Sequence, residues 1–281
     1  MGGFGEIDVA DVAVLLCDAD GNLFPSEEPA FVASCGVVNR LMAELGIERR
    51  FDPQELRLAT TGKNFRTTAA ELAAKEGVAV EPGLLPSGAT PPSRPSDGRP
   101  GLGRSQLERW VVEERREVTA HLAAALRPDP DVSGPLRELA ERFVLAAVSS
   151  SACSRLDACF EATELTELFP THLRFSAEDS LPAPTSKPDP AIYAFAAERL
   201  GIAPSAGLAI EDSSPGVRSA VAAGFTTVGN VVFVPRHERR RRSEELRAAG
   251  AGTVIFSWHE LRDLLDREPR AAAVERDRAT C

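Results

Sequence analysis

The sequence has few cysteines, and they form no recognisable pattern. The 281 residues include five cysteines, with no CxxC pair and no spacing typical of a metal site. They are Cys17, Cys35, Cys153, Cys159 and Cys281. This argues against a thiolate metal centre and favours small buried side chains in a reducing compartment. Strand alternation turns Cys17 away from the side that its neighbour Asp18 faces, so we expect core packing there.

The sequence also lacks an excess of positive charge and any long apolar run. Its net charge of −10 argues against a nucleic-acid partner bound through bulk electrostatics. The run Arg239 to Arg242 is a local exception, which we interpret as a solvated helix start rather than a basic docking patch. No apolar stretch could span a membrane, and the acidic first residues are unlike a signal peptide. We therefore expect a cytoplasmic protein without a membrane partner.

The stretch from Val12 to Leu23 carries the clearest functional signal. Its apolar run, rich in β-branched residues, ends in Asp18 and Asp20, and Gly21 follows. The run predicts a strand of a parallel sheet, buried on both faces. Residues two apart on an extended chain point the same way, so both carboxylates can reach one centre at the carboxyl end of the strand. They would repel each other unless a cation or a shared proton relieved the repulsion.

A metal ion and a simple turn both remain open explanations for Asp18 and Asp20. Mg²⁺ prefers oxygen ligands and is often held by one or two carboxylates together with a substrate phosphate. Asp, Gly and Asn are also common turn residues, so the same stretch fits a solvated turn.

Helical patterns follow this first strand directly. They cover Phe31 to Leu45, Pro53 to Ala59, Thr67 to Glu76 and Ser105 to Leu126. Together they predict a helical insert between the first and second strands. Within it, Glu81 to Gly103 is rich in Pro, Gly and Ser and shows no apolar period. We predict a flexible loop there.

The rest of the chain alternates short apolar runs with helical patterns at the length of βα units. The runs are Phe143–Val148, Phe175–Ser176, Leu208–Ile210, Thr226–Val228 and Thr253–Phe256. This alternation predicts an α/β domain with a doubly wound parallel sheet. We interpret Arg127 to Pro130 as a linker into this domain, and residues from Arg267 onward as a frayed tail.

Three further polar groups stand at or near predicted strand ends. They are Ser149, Lys187 and the pair Glu211 and Asp212. A doubly wound sheet would bring them to Asp18, and acidic groups, a lysine and a hydroxyl suit phosphoryl transfer. Simpler alternatives exist for each of them. Ser149 fits a helix N-cap, the Lys187 segment a helix-entry loop, and the acidic pair a helix-dipole partner.

These groups belong to four motifs that follow one another along the chain. The motifs are Asp18-Ala19-Asp20-Gly21, Ser149 after an apolar strand, Lys187-Pro188-Asp189-Pro190, and Glu211-Asp212-Ser213-Ser214-Pro215-Gly216. Together they resemble the motifs of the haloacid dehalogenase-like (HAD) hydrolase superfamily. The insert after the first motif is similar to that of the branch with phosphoglycolate phosphatases and β-phosphoglucomutases. The resemblance covers the chain except residues 81–103 and the C-terminal tail.

The resemblance implies a Rossmann-like core with an inserted α-helical cap. The expected core comprises residues 1–24 and 128–266, and the expected cap comprises residues 25–127 with its loop at 81–103. The tail is expected at residues 267–281.

The resemblance also implies a role for each motif residue. Asp18 would be the nucleophile that forms an aspartyl-phosphate, and Asp20 would act as general acid and then as general base. Ser149 would donate a hydrogen bond to the phosphoryl group, and Ser150 often joins phosphate binding in such proteins. Lys187 would neutralise the nucleophile and the transferring phosphoryl group.

Mg²⁺ is the cofactor that the resemblance implies. Asp18 and Asp212 would hold it, together with the backbone carbonyl of Ala19. Asp20 would contribute through its backbone or from the outer shell of ligands, and Glu211 would help through the metal shell.

Departures from the family pattern favour one branch. Haloacid dehalogenases generally lack the second aspartate of the first motif, and phosphonoacetaldehyde hydrolases have alanine there, so Asp20 favours phosphomonoester chemistry. β-Phosphoglucomutases carry a histidine in the following hinge, whereas Ser26 to Ala30 contains none. This departure makes a mutase activity the weaker hypothesis.

The insert contains a segment that resembles the family's substrate-specificity loop. It runs from Gly62 to Arg66, and its Lys63, Asn64 and Arg66 could bind an anionic or hydroxylated leaving group. A solvated loop is the alternative.

The leading hypothesis is a Mg²⁺-dependent phosphatase that acts on a small phosphorylated metabolite, with the cap closing to exclude water. A sugar phosphomutase of the β-phosphoglucomutase type is the alternative enzyme. A catalytically silent binding protein is a third possibility, although Asp18 and Lys187 are both present. We expect a monomer or a homodimer.

Overall fold

The chain divides into two compact units in a computed structural model that describes residues 10–60, 65–85, 100–183 and 185–267. Residues 1–25 and 126–281 form the first, which we call the α/β unit. Residues 26–125 form the second, which we call the helical unit.

The α/β unit contains a parallel sheet of six strands. They are β1 Val14–Cys17, β2 Val144–Ser149, β3 Arg174–Ser176, β4 Gly207–Glu211, β5 Thr226–Asn230 and β6 Thr253–Ile255. Their spatial order is β3-β2-β1-β4-β5-β6. Strands β2 and β3 lie on one side of β1. The chain then crosses to the other side of β1, where β4, β5 and β6 follow. This doubly wound order places a topological switch point between β1 and β4, where ligands bind in such sheets.

The sequence explains why β1 and β4 lie at the centre of the sheet. All four residues of β1 and all five of β4 are buried, as expected for strands covered by helices on both faces. Leu16 and Ala209 pair in register, and both pack against Ile192 on one face. The alternation of apolar strands and helices therefore predicted the fold class correctly.

The described residues of the helical unit form four helices. They are α1 Glu27–Glu44, α2 Pro53–Thr60, α3 Phe65–Lys75 and α4 Arg104–Ala125. Leu41, Leu72 and Leu107 bring α1, α3 and α4 into one apolar core. The ends of the predicted loop at 81–103 belong to this core as well. Leu84 and Leu102 are buried in it, and Leu102 pairs with Val80 in a short parallel bridge. The two ends of the segment predicted as a flexible loop thus pack into this core, whereas residues 86–99 lie outside the described residues.

Six α-helices complete the α/β unit within the described residues. They are α5 Pro130–Ala140, α6 Cys153–Ala162, α7 Ala191–Leu200, α8 Ser214–Ala222, α9 Arg239–Ala249 and α10 Trp258–Arg267. Helix α5 begins within the segment expected to be a linker. The Asp129 side chain accepts a hydrogen bond from the Asp131 backbone N–H at 2.9 Å, and Pro130 occupies the first turn, where its missing N–H costs nothing. None of the helices in the described part of the chain has the length and apolarity required to cross a membrane.

Candidate active site

The carboxyl ends of β1 and β4 meet at the switch point of the sheet. Cys17 pairs with Ile210, and the next residue on each strand is acidic: Asp18 and Glu211. The Asp18 backbone N–H donates to the Ile210 carbonyl at 2.9 Å, which extends the pairing by one step. The two carboxylates are therefore held next to each other by the register of the central strands.

The ammonium group of Lys187 lies between these two carboxylates. Its Nζ donates to Oδ1 of Asp18, to Oε1 of Glu211 at 2.6 Å and to the Val148 carbonyl at 2.8 Å at the end of β2. Only 6% of the Lys187 side chain is exposed. Burial alone lowers the pKa of Lys187, but Asp18 and Glu211 outweigh it and raise that pKa above its ordinary value. Lys187 is therefore a fixed cation at the carboxyl edge of β1, β2 and β4.

Three buried carboxylates gather around this edge. One oxygen from each of Asp18, Glu211 and Asp212 lies within 4.8 Å of the other two. Burial raises the pKa of Asp18, Lys187 opposes this effect, and Glu211 reinforces it. Lys187 binds two of these carboxylates, Asp18 and Glu211, and a hard divalent cation would relieve repulsion within the cluster of three. This all-oxygen donor set fits Mg²⁺.

Glu211 presents a second oxygen that the protein does not engage. Within the described residues, its buried Oε2 atom accepts no hydrogen bond. The backbone of Gly216 on α8 runs beside it, so that a Cβ at this position would lie 1.8 Å from Oε2. Glycine is thus required here because the Glu211 carboxylate lies too close to this backbone position for a Cβ. The glutamate fills the space that any side chain would need.

Tyr193 on α7 fixes the other oxygen of the same carboxylate. Its hydroxyl donates to Oε1 of Glu211 at 2.6 Å, and Nζ of Lys187 lies 5.4 Å from the centre of its ring. Burial, followed by the charge of Glu211, raises the pKa of Tyr193 well above its ordinary value. The sequence offers no functional signal for Tyr193, because a tyrosine on an apolar helix face looks like a core residue.

Ser149 and Ser150 follow β2 at the same edge. The Ser149 hydroxyl oxygen accepts from the Ser151 backbone N–H at 3.0 Å, and the Ser150 hydroxyl oxygen accepts from the Lys187 backbone N–H at 3.2 Å. The first contact stabilises the turn after β2. The second ties that turn to the loop that carries Lys187.

Asp20 is held by two side chains that follow the same turn. Oδ2 accepts from the Ser151 hydroxyl at 2.6 Å, and Oδ1 accepts from Nη2 of Arg155 at 2.8 Å. Neither partner was predicted from the sequence. Ser151 and Arg155 lie 131 and 135 residues from Asp20 along the chain, and neither belongs to one of the four motifs.

The side chain of Asn22 holds the backbone of the first motif in place through hydrogen bonds. Its Nδ2 donates to the carbonyls of Asp18 at 2.7 Å and Ile210 at 3.3 Å, and its Oδ1 accepts from Nδ2 of Asn230 at 2.7 Å. The Asn22 carbonyl accepts from the Trp258 indole at 3.3 Å. Asn22 is fully buried, so the solvated-turn alternative does not describe this part of the stretch.

The arginine run is a helix start, but it is only partly solvated. Arg239 donates to the Val232 and Val234 carbonyls, and Arg242 donates to the Asp212 carbonyl at 3.1 Å. The first and last arginines of the run therefore bind loop carbonyls, one of them next to the acidic cluster. The run thus begins a helix, as the interpretation of a solvated helix start expects, but Arg239 and Arg242 are only partly exposed.

The predicted substrate loop falls mainly outside the described residues, which exclude Gly62, Lys63 and Asn64. Arg66 lies on α3, and its guanidinium contacts Glu108 on α4 at 2.6 Å within the helical unit.

Comparison with known proteins places this arrangement in a family. The family described as haloacid dehalogenase-like hydrolase matches residues 14–224, three quarters of the chain. The chain belongs to the haloacid dehalogenase-like hydrolases. The resemblance inferred from the four motifs is thus confirmed, and the protein is an enzyme.

Individual relatives extend over most of the chain. Protein CbbY of Cereibacter sphaeroides is 29% identical over 257 residues, which span 89% of this chain and 94% of that protein. A HAD family hydrolase from Deinococcus radiodurans R1, solved with bound phosphate and sodium, is 27% identical with a TM-score of 0.61, over 91% of this chain and 96% of the other. A CbbY variant from Rhodobacter sphaeroides in complex with xylulose-(1,5)bisphosphate is 23% identical with a TM-score of 0.59. The match covers 89% of this chain and 96% of the other. At that identity the last likeness shows the fold alone.

Proposed function

We propose that this HAD-like hydrolase is a Mg²⁺-dependent phosphatase that hydrolyses a small phosphorylated metabolite through an aspartyl-phosphate. One observation carries the proposal: Lys187 joins Asp18 to Glu211 at the switch point, with Asp212 beside them. A nucleophilic carboxylate, a fixed cation and a donor set for a divalent ion are the parts that phosphoryl transfer requires.

In the first half of the proposed reaction, an oxygen of Asp18 attacks phosphorus and the bond from phosphorus to the leaving oxygen breaks. Lys187 binds Oδ1 of Asp18, so the second oxygen of the same carboxylate is the proposed nucleophile. Asp20 gives its proton to the leaving oxygen. The products are an aspartyl-phosphate on Asp18 and a free alcohol.

In the second half, Asp20 takes a proton from water as the water attacks phosphorus. The bond between phosphorus and Asp18 breaks, which releases inorganic phosphate and restores both carboxyl groups to their starting states. Lys187 offsets charge on the phosphoryl oxygens in both halves. Ser149 and Ser150, at the end of the neighbouring strand, are the proposed hydroxyl donors to the same oxygens.

Mg²⁺ would be held by Asp18 and Asp212, with Glu211 supporting it and backbone oxygens of the first motif completing the set. When bound, it would neutralise charge on the phosphoryl group in the transition state. The buried, unengaged Oε2 of Glu211 supports this assignment.

The proposed substrate class is a sugar phosphate or another small phosphorylated metabolite. Support comes from Protein CbbY, which is 29% identical over most of this chain, because a protein of the same name binds xylulose-(1,5)bisphosphate, a phosphorylated sugar. We propose that the helical unit acts as the cap over the substrate. Gly62, Lys63, Asn64 and Arg66 would then select the leaving group.

The test is phosphate release from a panel that includes phosphoglycolate, hexose phosphates and pentose bisphosphates, with Mg²⁺ and with a chelator. We expect release that requires Mg²⁺ and falls at least about 10³-fold in kcat/KM for Asp18→Asn. The matched control is Asp263→Asn, an exposed substitution on α10. Release that persists undiminished in purified Asp18→Asn would refute the mechanism.

Product analysis separates the phosphatase from the mutase alternative. A mutase would return the phosphoryl group of Asp18 to the sugar, so a hexose 1-phosphate would give its isomer. A phosphatase gives inorganic phosphate and the free sugar. The absence of a histidine in Ser26 to Ala30 favours the second outcome.

A further inference from the structure

Arg155 and Ser151 hold the Asp20 carboxylate at both of its oxygens. Nη2 of Arg155 is 2.8 Å from Oδ1, and the Ser151 hydroxyl is 2.6 Å from Oδ2. The side chains of Arg155 and Asp20 are 25% and 21% exposed, so water screens this pair less than it would a pair on the open surface. A charge-assisted bond at one oxygen and a hydroxyl at the other fix both torsions of the aspartate.

The helix that carries Arg155 is itself firmly placed. Arg155 lies in the first turn of α6, and its backbone N–H donates to the Ala152 carbonyl at 3.0 Å. The Cys153 backbone N–H at the start of the helix donates to Asp179 at 2.7 Å. In addition, Leu156 in the same turn is fully buried. The guanidinium thus reaches Asp20 from a rigid element that directly follows the serine turn of β2.

We propose that Arg155 is a positioning residue for Asp20. Its guanidinium occupies Oδ1, so Oδ2 is the oxygen that carries the proton to the leaving oxygen, and the Ser151 hydroxyl turns its own proton away from Oδ2 at that step. Arg155 itself donates no proton and forms no bond to the substrate. The inference rests on the proposed function, in which Asp20 protonates the leaving group. Its physical basis is that displacing a catalytic group by about 1 Å can cost 10²-fold in rate.

Leaving-group dependence tests this role directly. Benzyl phosphate and para-nitrophenyl phosphate are similar in shape, but the benzyl alkoxide needs a proton as it leaves and para-nitrophenolate needs little help. The value of kcat/KM reports only the steps through departure of the leaving group, so hydrolysis of the aspartyl-phosphate does not enter. We expect Arg155→Met to lower kcat/KM about 10²-fold for benzyl phosphate and less than about 5-fold for para-nitrophenyl phosphate.

Two further variants separate orientation from a general effect on folding. Arg155→Lys keeps a cation near Asp20 and should recover part of the loss on benzyl phosphate. Ser151→Ala removes the other contact and should give a smaller loss with the same selectivity. If Arg155→Met does not fold, Ser151→Ala takes its place as the test of whether Asp20 must be held in position. Arg199→Met, an exposed position on α7, is the matched control and should change neither value.

The double variant decides whether Arg155 acts through Asp20. Asp20→Asn should show the same selective loss on benzyl phosphate, and adding Arg155→Met should lower the rate no further. Equal losses on both substrates in Arg155→Met, or a further loss in the Asp20→Asn background, would overturn the inference and leave the proposed function intact. If Asp20→Asn itself shows no selectivity, the acid role of Asp20 fails, and with it both proposals.

Discussion

Nζ of Lys187 lies 2.6 Å from Oε1 of Glu211, and neither side chain is exposed by more than 6%. The two residues come from the loop before α7 and from the end of β4. Their contact joins the segments on either side of the switch point. Lys187 also binds Asp18, so one ammonium offsets two buried carboxylates, and Asp212 lies beside them as a third.

Removing this ammonium should therefore destabilise the protein. Lys187→Met leaves Asp18 and Glu211 buried without their cation, and breaking a buried ion pair typically costs about 3–5 kcal/mol. We expect a loss of that size in the free energy of unfolding, measured by urea denaturation with a chelator present. Arg116→Met, which removes a mostly exposed ion pair with Glu113, is the control and should have little effect. An unchanged midpoint for Lys187→Met would contradict the buried geometry.

The single tyrosine of the chain offers a direct spectroscopic readout. Burial and Glu211 raise the pKa of Tyr193 well above its ordinary value, so the native, metal-free protein should show no phenolate absorbance at pH values where urea-unfolded protein titrates, near 10. The folded state retains its proton longer than the unfolded state. The stabilisation is therefore complete below the unfolded pKa and declines above it by about 1.4 kcal/mol per pH unit. Native protein that titrates near pH 10 would disprove this burial.

Gly216 should tolerate no side chain. A Cβ at this position would overlap Oε2 of Glu211, so Gly216→Ala must displace the carboxylate or the start of α8. We expect phosphatase activity to fall at least about 10²-fold and the affinity for Mg²⁺ to weaken. The control is Gly36→Ala inside α1, where the nearest atom outside the neighbouring residues and the helix backbone is Nη1 of Arg40 at 3.9 Å. Alanine there should raise the free energy of unfolding by about 0.5–1 kcal/mol. Equal behaviour of the two variants would show that Gly216 is not constrained by Glu211.

Asn22 and Asn230 should be energetically coupled. Each single change to alanine leaves buried polar groups without a partner, at about 1–3 kcal/mol. Because the two amides bond to each other at 2.7 Å, the double variant should lose less than the sum of the single losses. A double-mutant cycle should give a coupling of about 0.5–3 kcal/mol. Additive losses would mean that the two asparagines stabilise their loops independently.

The fold could be predicted from the sequence because its strongest signals are local. The apolar runs that form β1, β2 and β4 are bounded by polar residues and glycine, and their alternation with helices fixes the fold class. The start of α5 also carries a local signal, Asp129 directly before Pro130. The same residues are typical of a linker, which is how the sequence pattern was interpreted. The buried ends of the 81–103 segment had none, because Leu84 and Leu102 stand among Pro and Gly without an apolar period and their burial depends on distant helices.

The site was only partly predictable, for a different reason. Motif residues such as Asp18, Ser149 and Glu211 stand directly at strand ends, so sheet topology alone brings them together. Arg155, Tyr193 and Asn22 act through contacts with residues far away in the sequence or through burial, and their residue types also suit helix surfaces, cores and turns. Such partners become visible only when the packing of α6, α7 and the first motif is known.

The most direct test of the central claim is to trap a phosphoryl group on Asp18. Asp20→Asn should still accept the phosphoryl group of para-nitrophenyl phosphate in the presence of Mg²⁺, because that leaving group needs little protonation, but should hydrolyse the aspartyl-phosphate slowly. Acid quenching followed by peptide mass spectrometry should then find one phosphoryl group on the peptide that contains Asp18, removable by hydroxylamine and absent when Asp18 is also changed to asparagine. Wild-type phosphate release without such an adduct in Asp20→Asn, or an adduct on another residue, would contradict the account.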